Sequence, residues 1–344
     1  MAAERLLSER ELNRALLARQ LLLERAKLPL PRVVERVGCL QTQYAPSGYI
    51  GLWSRLEGFE RDALTRALER RAVVQAMMMR NTIHVASRRD YWPLIVAVRD
   101  ERKAWSRRVQ HADDRTLERS ATKLRKALAQ GPLSLEELKA LGGDAWRPGS
   151  AIWVDLVRVP PSGTWERRRA DLYGLAEDWL APPPALPADV ALEHLVRRYL
   201  GAFGPASRND IADWAGMRVG ALSPALGRLR LRRFRDEQGR ELLDLPRAPL
   251  PDPETPAPVR FLPKWDATLL AHARGAGILA DEHRARIFNI KNPQSEATFL
   301  VDGVASGVWR YAGGRIELEP FGRIPREARR ELNEEAERLA AFHT

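Results

Sequence analysis

The sequence predicts an α+β fold of three tandem winged-helix units followed by a small C-terminal β-barrel or sheet. Three observations carry this reading. The block Gly131-Pro132-Leu133-Ser134-Leu135-Glu136-Glu137-Leu138 returns 73 residues later as Gly204-Pro205-Ala206-Ser207-Arg208-Asn209-Asp210-Ile211. Each copy sits in the same order of three helices and then a strand-turn-strand pattern, the order of a winged helix. Beyond the Pro-rich stretch Pro246 to Pro258, the pattern changes to short strands around Gly turns.

The first unit is assigned to residues 1–112. Ser8 and Glu11 form a capping box for a helix over 9–25, with Leu12, Ala15, Leu16 and Leu23 near helical period. A second helix is expected from Pro31 to Leu40 and a third over 60–71. Strands over 73–79 and 82–86 then bracket Arg80-Asn81 as a hairpin turn, and helix over 90–110 extends the unit.

The repeat supplies the second unit, 113–181, and the third, 188–246. Helices over 116–129 and 188–203 are stopped by Gly-Pro. Ser134 with Glu137, and Ser207 with Asp210, cap helices over 135–141 and 208–215. Third helices are expected over 149–157 and 218–229. Leu156 to Val159 and Asp171 to Tyr173 flank one turn, which carries Arg167, Arg168 and Arg169. Leu229 to Phe234 and Glu241 to Leu245 flank the other. In the tail, 259–344, strands are expected around Asp302-Gly303 and Gly313-Gly314, closed by a helix over 325–341.

Composition narrows the function classes. Net charge is +11, and residues 61–130 hold 17 basic against 8 acidic residues. Charge concentrated in this way fits a polyanion, because phosphate neutralisation releases counterions. The single cysteine, Cys39, excludes an internal disulfide and a Cys-based metal site, and its Val/Leu surroundings suit a buried inert thiol. The six histidines are scattered, no phosphate-loop or dinucleotide-binding glycine motif is present, and no cofactor is expected. No apolar run approaches the roughly 18 residues of a membrane span. The N-terminal segment lacks the layout of a signal peptide, so a cytoplasmic protein is expected.

Leu40-Gln41-Thr42-Gln43-Tyr44-Ala45-Pro46 is the segment with chemical content. Pro46 disfavours helix at Ala45, so the helix should end near Gln43 and splay two carboxamides toward one cavity. An amide is no base at neutral pH, but it orients water or binds a polar atom. Helix-end glutamines bonded to carbonyls or solvent are the plainer alternative.

That segment joins Arg80-Asn81-Thr82-Ile83-His84-Val85, Leu262-Pro263-Lys264-Trp265-Asp266-Ala267-Thr268-Leu269-Leu270, and Asp302-Gly303 with Gly307-Val308-Trp309. Together, in this order, they resemble the bacterial winged-helix DNA glycosylases that confer self-resistance to azinomycin-type alkylating natural products and unhook interstrand crosslinks. The resemblance implies three winged helices in a C shape followed by a β-barrel, with a catalytic Gln-x-Gln matched by Gln41 and Gln43. Thr42 stands where that family usually has an aliphatic residue, and Ala271-His272 where it more often has Gly-Tyr.

What the resemblance implies is a monomeric, cofactor-free glycosylase acting on double-stranded DNA with N7-alkylated purines. Gln43 would hold a water and Gln41 orient it. Tyr44, Arg80, Asn81, Thr82 and His84 would lie near the lesion. Arg88 and Arg89, in the basic segment, and Arg167, Arg168 and Arg169 are further candidates for DNA contact. Asp266 is expected to tie the tail to the first unit. A non-catalytic winged-helix regulator accounts equally for repeats and charge, though not for the Gln-x-Gln; a helical scaffold fits the clustered charge poorly.

Overall fold

The computed structural model describes residues 5–110, 113–142, 150–169, 171–289 and 294–344. Strand β1 (Arg5–Leu7) leads into α1 (Glu9–Arg19), capped as expected: Ser8 N–H donates to Glu11 Oε2 at 2.8 Å and Glu11 N–H to Ser8 Oγ at 3.2 Å. The helix stops well before residue 25, where Leu21 takes a left-handed φ of 58°. Helix α2 (Leu30–Arg36) also ends early. Gly38 and Cys39 take φ of 73° and 74°, and the chain emerges extended as β2 (Leu40–Gln41). The expected helix through Gln43 is therefore corrected: Gln41 lies on a strand. Pro46 instead opens a helix that the sequence reading did not include, α3 (Pro46–Trp53); proline's fixed φ suits a first turn.

Helix α4 (Arg61–Glu69) precedes β3 (Val73–Met77) and β4 (Ile83–Ser87). Between the strands Arg80 and Asn81 take φ of 51° and 55°, and Thr82 N–H bonds Met79 O at 3.1 Å. Two positive φ values in sequence make the primed turn that matches strand twist. Helix α5 (Arg88–Gln110) follows without a break.

The second repeat contains α6 (Asp114–Leu128), β5 (Leu133–Ser134), α7 (Leu135–Gly142), β6 (Leu156–Arg158), β7 (Leu172–Leu175) and α8 (Ala176–Leu180). The third helix expected over 149–157 begins outside the described residues. Within them only a 3-10 turn, Ser150–Trp153, is present, and Leu156 already belongs to β6. The third repeat contains α9 (Ala188–Phe203), α10 (Arg208–Ala215), α11 (Ser223–Arg228), β8 (Arg232–Asp236) and β9 (Glu241–Asp244). Its helix expected over 218–229 splits into a 3-10 turn and α11, with Pro224, which lacks an N–H, at the join.

The tail runs β10 (Arg260–Leu262), α12 (Arg284–Ile287), β11 (Phe288–Asn289), β12 (Gln294–Ser295), β13 (Ala297–Val301), β14 (Val304–Ala312), β15 (Arg315–Pro320) and α13 (Arg326–His343). Four of its strands form an antiparallel sheet in the order β10-β13-β14-β15, and β11 pairs with β12. The barrel expectation is corrected to an open sheet among the described residues, because β10 and β15 are its two edges.

The repeats share sheets. A six-stranded sheet runs β2-β4-β3-β6-β7-β5, with β3 pairing β6 through Gln75↔Arg158 and Ala76↔Val157. Strand β1 pairs in parallel with β8 of the third repeat. Tyr49, Ile50, Leu64 and Val85 share a core with Phe261, Phe299 and Trp309, so the tail sheet packs against the first repeat. Asp266 ties the two, as its place in the tail motif suggested: Arg55 Nη2 donates to its Oδ1 at 3.0 Å, with both side chains buried. Among the described residues no helix is long and apolar enough to cross a membrane.

Candidate functional site

The strand at Leu40–Gln41 reshapes the site. Gln41 pairs with His84 across the β2–β4 ladder, and Thr42 N–H continues the pairing to Ile83 O at 2.7 Å. Gln43 lies two residues on, in the bend after β2, so the divergence that a continuous helix would impose on the pair does not apply. The carboxamides of Gln41 and Gln43 are both held by the β3–β4 hairpin. Arg80 Nη2 donates to Gln41 Oε1 at 2.7 Å, and Ile83 N–H donates to Gln43 Oε1 at 3.1 Å. Gln41 is buried and Gln43 exposed. Each oxygen keeps a second lone pair, and neither Nε2 has a partner among the described residues. The Gln43 amide is open to solvent, whereas Gln41 lies buried beside Arg80.

Arg80 owes its reach to its left-handed backbone. It bridges Gln41 and the carbonyl of Trp214, at the end of α10, through separate nitrogens. Burial lowers its pKa to about 10, still well above neutrality, so it stays a cation. Gly216 makes this approach possible: at φ +71°, a Cβ there would stand 2.9 Å from the Arg80 backbone. Arg80 is therefore held half-buried between the hairpin and α10 and is not spread on the surface.

Asn81 Oδ1 accepts from Arg102 Nε at 3.3 Å, and Thr82 Oγ1 donates to Met79 O at 3.1 Å; both stabilise the turn. His84 is buried, with Nδ1 3.0 Å from Thr82 O. Burial, then the Arg80 charge, push its pKa down to about 3, so its ring is neutral near pH 7. His272 was not singled out by the sequence reading. It is buried against Phe203 and Tyr199, and neither ring nitrogen has a hydrogen-bond partner among the described residues. Burial pushes its pKa far down, with Arg80 and His84 adding to the effect. The only signal for it in the sequence was the Ala271-His272 departure from the family pattern.

Tyr44 is exposed and accepts a hydrogen bond at Oη from Arg168 Nη1 at 3.2 Å. The guanidinium of Arg168 also lies over the Trp165 ring. A cleft of about 340 Å³ opens here, lined by Tyr44, Ser47, Trp165, Arg168, Trp309 and Tyr311. It begins one residue beyond Gln43 and draws on the first repeat, the second and the tail. Arg167 is exposed and pairs with Asp171 at 2.6 Å, and Arg169 is exposed beside it. Arg88 and Arg89 open α5 at the end of β4 remote from Arg80, so they do not join the glutamines; Arg88 donates to Leu180 O at 3.2 Å. Among the described residues no group of His, Cys, Asp or Glu could hold a metal ion.

The family model for AlkZ-like DNA glycosylases matches residues 34–342. The chain belongs to that family. It is therefore a DNA glycosylase, an enzyme of DNA repair, and the non-catalytic regulator alternative is set aside. Among solved structures, the AlkZ-like chain is similar to the DNA glycosylase AlkZ of Streptomyces sahachiroi, with a TM-score of 0.80, 19% identity and 97% of each chain covered. At that identity the likeness concerns the mixed α+β fold. No curated protein matches the chain.

Proposed function

We propose that this AlkZ-like chain is a monofunctional glycosylase. It hydrolyses the N-glycosidic bond of N7-alkylated purines in double-stranded DNA, including bulky adducts and interstrand crosslinks. Three winged-helix units, 1–112, 113–181 and 188–246, form a C around the duplex, and one protein molecule suffices. The observation that carries the reading is that the carboxamides of Gln41 and Gln43 are both anchored to the β3–β4 hairpin, one by Arg80 and the other by the Ile83 N–H.

The chemistry suits neutral amides. Alkylation at N7 makes the purine a cation that leaves without much acid help. The enzyme must then place a water at the anomeric carbon and tolerate an oxocarbenium-like sugar. Gln43, the exposed one, holds the water; Gln41, stiffened by Arg80, orients it. Neither amide could expel an unmodified base, which protects undamaged DNA. No buried histidine supplies a proton, since His84 is neutral at working pH. The aromatic-edged cleft beyond Tyr44 offers about 340 Å³ for a large substituent.

Release of N7-methylguanine from a defined duplex tests the assignment. Gln41→Ala/Gln43→Ala should lose on the order of 10²–10³-fold in single-turnover rate, the scale of removing a preorganised polar group. Its stability should fall by about 1–3 kcal/mol, because Arg80 loses buried Gln41 as an acceptor while Gln43 is exposed, so rates are compared per folded molecule. Wild-type base release would remove both residues from the mechanism.

A further inference from the structure

A groove on the seam between the first and third repeats has no role in the chemistry above. Its first half is a concavity of about 440 Å³ walled by Arg32 and Arg36 of α2, Arg89 of α5, and Arg197 and Arg198 of α9. Its second half, about 490 Å³, is formed with Arg19, Arg247 and the prolines that follow β9. The halves share Arg36, Gly201 and Leu245, so they are continuous.

The charges in this groove do not balance. Buried Glu35 pairs with Arg32 at 2.8 Å and with Arg198 at 3.5 Å. Buried Asp90 pairs with Arg198 at 2.8 Å and meets His194 at 2.9 Å. Glu193 pairs with Arg197 at 3.0 Å, and buried Asp244 with Arg19 at 2.7 Å. These carboxylates fix the walls and neutralise the arginines they hold. Arg36, Arg89 and Arg247 are exposed, and none has a carboxylate within 4 Å among the described residues. Like charges gathered in a concavity repel unless an anion joins them. A lone phosphate would answer one half of the groove. Unneutralised arginines spread over both halves match an anion whose charge repeats along a chain.

We propose that this groove binds the sugar-phosphate backbone of duplex DNA beside the damaged base. Arg36 precedes Gln41 by five residues, and Arg89 follows His84, the partner of Gln41 in the ladder, by five. Arg36 ends α2, Gly38 and Cys39 are left-handed and Arg89 lies in α5, so neither stretch is fully extended and each spans less than about 16 Å, within about five nucleotide steps along a strand. The groove thus grips phosphates flanking the lesion, on the side away from the Arg80 turn. Gly201, Leu245 and the prolines give the sugars an apolar floor. On this view the Pro-rich segment is part of the DNA interface as well as a linker.

The test measures affinity of the full chain for an undamaged duplex by fluorescence anisotropy between 50 and 200 mM NaCl. Each lost phosphate contact should flatten the slope of log K against log salt by about 0.9. Arg36→Gln/Arg89→Gln/Arg247→Gln should therefore flatten it by about 2 to 3, and each single change by up to about 0.9. The charge-matched control Arg315→Gln/Arg326→Gln/Arg330→Gln, on the tail, should leave the slope near wild type. An unchanged slope in the groove variant overturns the proposal, as does an equal change in the control. Calorimetry with inorganic phosphate adds a further arm: saturable binding with no change in DNA slope would make the groove a small-anion site and refute the DNA assignment. Because the duplex carries no lesion, none of these outcomes depends on the N7-alkylpurine reading.

Discussion

At the scale of single residues, the site is organised by one half-buried cation. Arg80 pays its desolvation cost by bonding the Gln41 carboxamide and the Trp214 carbonyl, which are neutral acceptors. Its planar fork can serve two acceptors in fixed directions, which an ammonium cannot reproduce. Arg80→Met keeps much of the volume but frees Gln41 Oε1. We expect N7-methylguanine release to fall on the order of tenfold to a hundredfold, as a misdirected catalytic group typically costs. Stability should fall by about 1–3 kcal/mol, because two part-buried acceptors lose their donor. Arg80→Lys should fall between. Single-turnover rates with melting curves separate the two effects, and full activity in Arg80→Met would mean that Gln41 needs no positioning. The sequence marked Arg80 as lesion-proximal but could not show that it faces inward. That fact depends on Trp214, which lies 134 positions away.

At the scale of elements, what could be read in advance was what local chemistry dictates. The three capping boxes, the Arg80-Asn81 turn and the strands around Asp302-Gly303 and Gly313-Gly314 are set by a few adjacent residues. Strand β2 was misread as helix because two residues carry no periodicity; only the partner strand β4 makes them a strand. The third helices of the repeats were overextended because apolar spacing there does not report where a 3-10 turn stops. The contact between α10 and the hairpin gives a sharp prediction at this scale. Gly216→Ala introduces a methyl 2.9 Å from the Arg80 backbone at a φ that alanine resists. We expect a loss of about 2 kcal/mol or more, from left-handed strain and displacement of the turn, together with lowered base release per folded molecule. Ser207→Ala, at the other end of the same helix, removes only the cap. It should cost about 1 kcal/mol and leave base release per folded molecule intact. Equal activity losses in the two variants would show that the turn is insensitive to Gly216.

At the scale of the whole molecule, the question is what the tail contributes. Its sheet does not stand apart: Phe261, Phe299 and Trp309 share a core with Tyr49 and Ile50, and Trp309 also lines the cleft next to Tyr44. The Arg55–Asp266 pair, buried on both sides, fixes that junction in one register, and Thr268 N–H and Oγ1 also donate to Asp266. A buried pair of this kind is expensive to break by halves, because the survivor is left charged and dry. Asp266→Leu should therefore cost about 3–5 kcal/mol in denaturant unfolding. Arg55→Met/Asp266→Leu, which removes both charges, should recover a large part of that loss, since apolar replacement of a buried pair is often neutral. Recovery would not be complete, because Thr268 loses its acceptor as well. The double variant would then separate stability from register. If the pair merely adds stability, base release should return with the fold. If the pair holds the tail's aromatic residues against Tyr44, the refolded double variant should keep its release of N7-methylguanine and lose rate on larger N7 substituents, which reach the shared cleft. A double variant as unstable as Asp266→Leu would show that the junction depends on the charges themselves and not on the packing around them.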